Sequence, residues 1–294
     1  MDQAEGLRNI IKKQETRQAR NTARVITVTS GKGGVGKTSV SVNLAITLSR
    51  MGKKVILLDA DFGLANIEIM LGIRPKYNLA DLMFHGKSIK DIITYGPENI
   101  GFISGGSGIN EMANLTREQV FYLIQKMEQL DQLADIIIVD TGAGIGDSVL
   151  EFVAASSEVL LVATPEPTSI TDAYALLKSL NRCASYQPGT TVVKMIANQV
   201  RDNRDARELF EKIGVVVNKF LDIQVEYLGD IPYDADVPKA IIRQKPITIA
   251  QPGSPVAKSV QKIANALENK EEEMGKRFGI MHLFSSVIRM KFNR

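Results

Sequence analysis

Seven short strand-like runs, several of them apolar almost throughout, set the tightest limit on what this chain can fold into: RVITVTS (Arg24–Ser30), KVILLDA (Lys54–Ala60), IGFIS (Ile100–Ser104), DIIIVDT (Asp135–Thr141), EVLLVAT (Glu158–Thr164), TVVKMIAN (Thr191–Asn198) and VEYLGDIP (Val225–Pro232). A strand with one face in water alternates apolar and polar residues. Strands covered on both faces, as in a parallel sheet, have no polar face to show. Amphipathic stretches such as KTSVSVNLAITLSRMG and TDAYALLKSLNRCA lie between the runs. This alternation predicts an α/β fold: a doubly wound, mostly parallel sheet of about seven strands with helices on both faces. No internal repeat and no Pro/Gly/Ser-rich linker interrupts residues 24–270, which are expected to form one domain between an extension (1–23) and a tail (271–294).

Composition narrows the function classes. The net charge of +3 across 294 residues gives no bulk argument for nucleic acid. A single cysteine, Cys183, excludes an intrachain disulfide and any four-cysteine cluster within one chain. The two histidines, His85 and His282, are far apart in sequence and are poor candidates for metal ligands. The N-terminus lacks a secretory apolar core, and no run reaches membrane-spanning length. A cytoplasmic protein is expected.

The segment TSGKGGVGKTSV follows the first expected strand and opens the first expected helix. Gly31 to Thr38 fit the phosphate-loop pattern G-x-x-x-x-G-K-[ST] in the strand-to-helix context it requires. Glycines let the backbone approach an anion, and the helix N-terminus then faces it. The candidate nucleotide-binding set is Gly31, Lys32, Gly33, Gly34, Val35, Gly36, Lys37, Thr38 and Ser39. Lys37 is expected to reach the β- and γ-phosphates and the Thr38 hydroxyl to hold Mg²⁺. Asp140, after four apolar residues, fits a Walker B carboxylate that holds Mg²⁺, usually through water. Asp59 and Asp61 lie two apart at a strand end that faces the ligand crevice. Each aspartate alone could instead be a loop cap. Gly142 and Gly144 suit a mobile loop that senses the γ-phosphate.

The second lysine, Lys32, gives the loop the pattern K-G-G-x-G-K-[ST]. In this it resembles the deviant Walker A family, which includes the Min division ATPase, the ParA partition ATPases and the nitrogenase iron protein. The resemblance implies that ATP and Mg²⁺ are the cofactors and that ATP is sandwiched in a homodimer. Lys32 would then serve the neighbouring subunit's nucleotide, as an arginine finger does. It further implies catalytic roles for Lys32, Lys37 and Asp61, with Asp61 orienting the attacking water and Asp59 near Mg²⁺. Asn198 would read the adenine edge, and the backbone of Ile231, Pro232, Tyr233 and Asp234 would line the base. The absence of an N/T-K-x-D motif favours ATP over GTP. With only carboxylates available as bases, slow hydrolysis is expected.

The ends of the chain carry separate signals. On a helical wheel Ile280, Met281, Phe284, Val287 and Ile288 form an apolar stripe, with His282, Ser285, Ser286 and Arg289 opposite. Five basic residues and no acid lie within Met274–Arg294. This pattern fits a helix lying in an anionic membrane surface. It also fits a helix packed on the protein's own core. Near the N-terminus, DQAEGLR (Asp2 to Arg8) resembles the start of the FlhG family (YlxH, FleN), the Min-like ATPases that set flagellar number and placement. In that family the segment activates the signal-recognition-type GTPase FlhF, which implies a partner-binding role for Gln3, Leu7 and Arg8. Flagellar switch-complex proteins are further implied partners, and no nucleic acid is expected. The resemblance places an ATP-bound dimer peripherally on the inner face of the cell membrane. The alternatives are a division-site Min ATPase and a ParA-like DNA partitioner, which would bind DNA nonspecifically and salt-sensitively.

Overall fold

The computed structural model describes residues 22–61, 66–106, 117–183, 186, 188–269 and 279–292. Its strands are β1 (Arg24–Thr29), β2 (Val55–Ala60), β3 (Thr94–Tyr95), β4 (Gly101–Ile103), β5 (Ile136–Thr141), β6 (Glu158–Ala163), β7 (Val192–Val200) and β8 (Val225–Pro232). They form one sheet in the order β3-β4-β2-β5-β1-β6-β7-β8. All pairs are parallel except β3 with β4. All seven expected strands are present. An eighth, β3, adds an edge strand to them. It is two residues long, too short to leave an apolar run in the sequence.

The helices named below are α1 (Lys37–Arg50), α2 (Arg117–Met127), α3 (Leu130–Leu133), α4 (Asp147–Ala155), α5 (Pro167–Asn181), α6 (Asn203–Phe220), α7 (Asp236–Ile242), α8 (Pro255–Asn269) and α9 (Ile280–Phe292). Strand alternation distributes the core to both faces. Ile136 and Ile138 of β5 pack with Leu44, Ile46 and Val260 of α1 and α8. Ile137 and Val139 of the same strand pack the other way, with Leu123, Phe152 and Phe284 of α2, α4 and α9. Every residue of β5 is therefore buried, as its unbroken apolar run demands.

At the end of the sheet opposite the phosphate loop lies a buried ionic cluster. The Arg24 guanidinium donates to both Glu158 oxygens at 2.8 and 2.9 Å, and Lys194 Nζ donates to Glu158 Oε1 at 2.7 Å. Burial pushes the Glu158 carboxyl up, but Arg24 and Lys194 outweigh it and hold the group below its usual range. Glu158→Ala leaves two buried cations without their shared carboxylate. It is expected to destabilise the fold by ~3 kcal/mol, measured by urea unfolding.

The tail helix α9 docks on the body. Ile280, Leu283 and Phe284 are 0, 2 and 4% exposed. Phe284 meets the Phe152 ring edge-to-face at 5.9 Å. The expected stripe therefore needs correcting. The inward face is Ile280, Leu283, Phe284 and the half-buried Val287, an i, i+3, i+4, i+7 set, while Met281 points to solvent. The Ile288 side chain lies outside the described residues, as do Gln3, Leu7 and Arg8. The helix start is fastened by Asp131, whose Oδ1 accepts from Ile280 N–H at 3.1 Å. Burial raises the Asp131 carboxyl to about 6. A Cβ on Gly279 would overlap both Asp131 and Thr22, so glycine permits this approach.

Candidate functional site

The loop between β1 and α1 sits at the C-terminal edge of the sheet, where the chain turns from β5 on one side of β1 to β6 on the other. Such a switch point opens a crevice above the strand ends. Gly34 and Gly36 hold φ of 81° and 89°, the left-handed region that side chains avoid. A Cβ on Gly31 would overlap the Asp172 backbone of α5, so that glycine is fixed by packing. No side chain caps α1 and no acid lies in its first turn. Its leading N–H groups are thus left for an anion.

Below the loop, three carboxylates meet. Asp59 and Asp140 are paired neighbours across β2 and β5. Asp140 is fully buried and accepts from Thr38 Oγ1 at 2.6 Å and Ser41 Oγ at 2.9 Å, with Lys37 Nζ at 3.5 Å. Burial raises its carboxyl despite the Lys37 charge. Asp59 is also raised, to about 7, first by burial and then by the Asp140 charge. Its Oδ1 accepts from Asp61 N–H at 3.1 Å, while the buried Oδ2 has no partner. Two adjacent buried acids, one with an orphaned oxygen, fit a divalent cation beside a phosphate, with Thr38, Asp59 and Asp140 as the donor set. Asp61 lies nearer the surface, held by Asn66 at 3.1 Å and facing Gly142. Residues 62–65, which follow it, lie outside the described residues. Gly144 N–H donates to Ser30 O at 2.9 Å, tying the loop after β5 to the phosphate loop.

The two lysines occupy different places. Lys37 is buried against Asp140. Lys32 stands on the rim and donates to Glu166 at 2.8 Å and Thr168 at 2.7 Å at the start of α5. Glu166 is itself 62% exposed, so this tether is a weak one.

Beside the loop, a cavity of about 430 Å³ is bounded by Gly36, Ser39, Asn198 and the Ile231–Asp234 segment, and extends over Val237 and Ile241 of α7. Asn198 Nδ2 donates to Val35 O at 2.7 Å. That fixes the amide orientation and turns Oδ1 into the free acceptor. The cavity is largely apolar with convergent polar groups, the character of a base pocket. Ser41, Glu166, Thr168 and Gln199 were missed in the sequence. Ser41 could have been found, since it lies one helical turn after Lys37 on the same face. The others are brought in by strand ends that only the fold aligns.

Fold and site together define a P-loop nucleotide-binding protein. The ParA family model, described as NUBPL iron-transfer P-loop NTPase, matches residues 21–268. The antiactivator FleN of Pseudomonas aeruginosa is 44% identical over 84% of this chain and 86% of its own. The flagellum site-determining protein YlxH of Helicobacter pylori is 32% identical over 86% of this chain and 84% of its own. Among solved structures, a chain of the Aquifex aeolicus MinC:MinD cell division protein complex superposes with a TM-score of 0.68 at 24% identity, covering 87% of this chain and all of that one. MinD of Pyrococcus horikoshii with Mg-ADP gives a TM-score of 0.64 at 24% identity, covering 88% of this chain and all of that one. These two structures speak to the fold alone. The chain belongs to the MinD/ParA family of P-loop ATPases, within the group that contains FleN and YlxH.

Proposed function

We propose that this chain is a slow ATPase switch controlling the number and placement of flagella, in which ATP drives homodimerisation and hydrolysis ends it. The observation that carries this reading is the division of labour between the lysines. Lys37 is already committed beside Asp140, whereas Lys32 waits at the rim on an exposed, breakable tether. A rim lysine is placed to serve a nucleotide held by a second copy. Mg²⁺, held through Thr38, Asp59 and Asp140, would neutralise phosphate charge. Asp61 positions the attacking water, and Lys37 and the partner copy's Lys32 stabilise charge building on the phosphates. No stronger base than carboxylate is present among the named site residues, which suits a timer. Asn198 Oδ1, as an acceptor, suits the 6-amino group of adenine and opposes the 6-keto oxygen of guanine.

The tail gives the switch an output. Docked, α9 hides Ile280 and Phe284. Released on dimerisation, the same face and its basic residues would engage an anionic membrane, and two tails would bind far more tightly than one. The flagellar assignment is supported by the likeness to FleN and YlxH. Residues 1–23, with Gln3, Leu7 and Arg8, would contact the GTPase FlhF, and switch-complex proteins would be further partners. Cosedimentation with anionic liposomes is expected with a non-hydrolysed ATP analogue and absent with ADP. It is expected to be abolished by ending the chain at Asn269. Binding that ignores nucleotide, or survives the truncation, would overturn the tail's role. FlhF GTPase activity should rise with a peptide of residues 1–23 and fall back with Gln3→Ala; no stimulation by peptide or full chain would overturn that partner.

A further inference from the structure

Asn198 and Gln199 are consecutive residues of β7, yet both side chains line the same cavity. A regular strand forbids this, because successive side chains point to opposite faces. The register shows how it is achieved. Asn198 pairs with Ile231 and Val200 pairs with Pro232, so Gln199 is an extra residue in a bulge. Its φ is +58°, left-handed in a residue that is not glycine. Non-glycine residues pay a steric penalty there, and such strain gathers at functional sites. The bulge turns the Gln199 amide over the phosphate loop, its Nε2 3.8 Å from the position of a Cβ on Gly36.

Gln199 adds a second amide to the pocket. Asn198 commits one of its two Nδ2 N–H groups to Val35 O, which holds the amide in place with Oδ1 as its acceptor. Adenine shows a donor, its 6-amino group, beside ring-nitrogen acceptors. Asn198 Oδ1 can read the donor. A second amide beside it, offering N–H, can read the neighbouring acceptor.

We infer that Gln199 is a second base-reading residue, donating from Nε2 to the ring nitrogen next to the 6-amino group, N1 or N7, while Asn198 Oδ1 accepts from that amino group. The pair reads donor-then-acceptor, which adenine presents at N6/N7 and N6/N1. Guanine presents acceptor beside acceptor at O6/N7. This inference rests on the ATP reading of the site.

Dissociation constants for ATP, GTP, 1-deaza-ATP and 7-deaza-ATP, measured by calorimetry on the full chain, test it. Gln199→Gly keeps the left-handed backbone without strain, so the variant should fold at least as stably as the parent. It is expected to bind ATP about 3- to 10-fold more weakly, the loss of one neutral hydrogen bond, while GTP binding stays unchanged. One deaza analogue should bind the parent more weakly than ATP by a similar factor, and that penalty should vanish in Gln199→Gly. Gln199→Glu, which exchanges donor for acceptor at constant shape, should weaken ATP at least as much. If the parent prefers ATP but Gln199→Gly keeps that preference and both deaza penalties, Gln199 is a bulge residue only. If the parent binds GTP as well as ATP, the ATP reading itself falls, and this inference with it.

Discussion

Lys37→Ala is expected to reduce ATP hydrolysis by about 10²- to 10³-fold, the loss seen when one preorganised charge or donor is removed from a transition state. ATP affinity is expected to fall about 10- to 100-fold, since hydrogen bonds to charged groups contribute roughly 1.5–3 kcal/mol. Both effects follow from one position. Lys37 is the first residue of α1, 7% exposed, with Nζ 3.5 Å from Asp140 Oδ1. In the proposed site it would supply charge to the phosphates, and it restrains the upward shift of the Asp140 carboxyl, which burial drives. The variant should still fold, because Thr38 and Ser41 continue to bond Asp140. Calorimetric titration and phosphate release measure the two losses separately. Hydrolysis within threefold of the parent would remove Lys37 from the reaction.

Lys32→Ala should separate binding from turnover. Lys32 bonds only exposed groups at the α5 start, so its loss should leave folding intact and ATP affinity within about threefold. Turnover is expected to drop at least about 10³-fold, the scale of a finger residue supplied in trans. ATP-dependent dimers in sedimentation velocity should disappear as well. A variant that binds, dimerises and hydrolyses like the parent would show that Lys32 is a solvated rim residue.

The fold was largely legible because most of the parallel strands carry nearly unbroken apolar runs of strand length, recurring between amphipathic stretches. IIIVD in β5 left no room for another reading, whereas Thr94–Tyr95 carried no pattern and emerged only from pairing with β4. The phosphate loop and Asp140 were legible because their spacing is local and their chemistry is specific. Asp59 next to Asp140 was half legible: strand ends were named, but their side-by-side register came from the sheet. Gln199 was not legible, since the alternation rule assigns it to the face away from Asn198, and a one-residue bulge reverses that. The tail's amphipathic character was legible, but its destination was not. A helix face that suits a lipid surface also suits the Phe152 side of the core, and only packing chose Leu283 over Met281 as an inward residue.

The central claim, that each active site is completed by Lys32 from a second copy, is tested most directly by mixing two inactive variants, Lys32→Ala and Asp61→Ala. A mixed dimer holds one site with its own Asp61 and a partner lysine in place, so phosphate release should reappear on mixing although neither variant hydrolyses alone. If Lys32 serves only its own subunit's nucleotide, every site in the mixture lacks one of the two residues. The mixture would then stay as inactive as its components, and the shared-site account would be wrong.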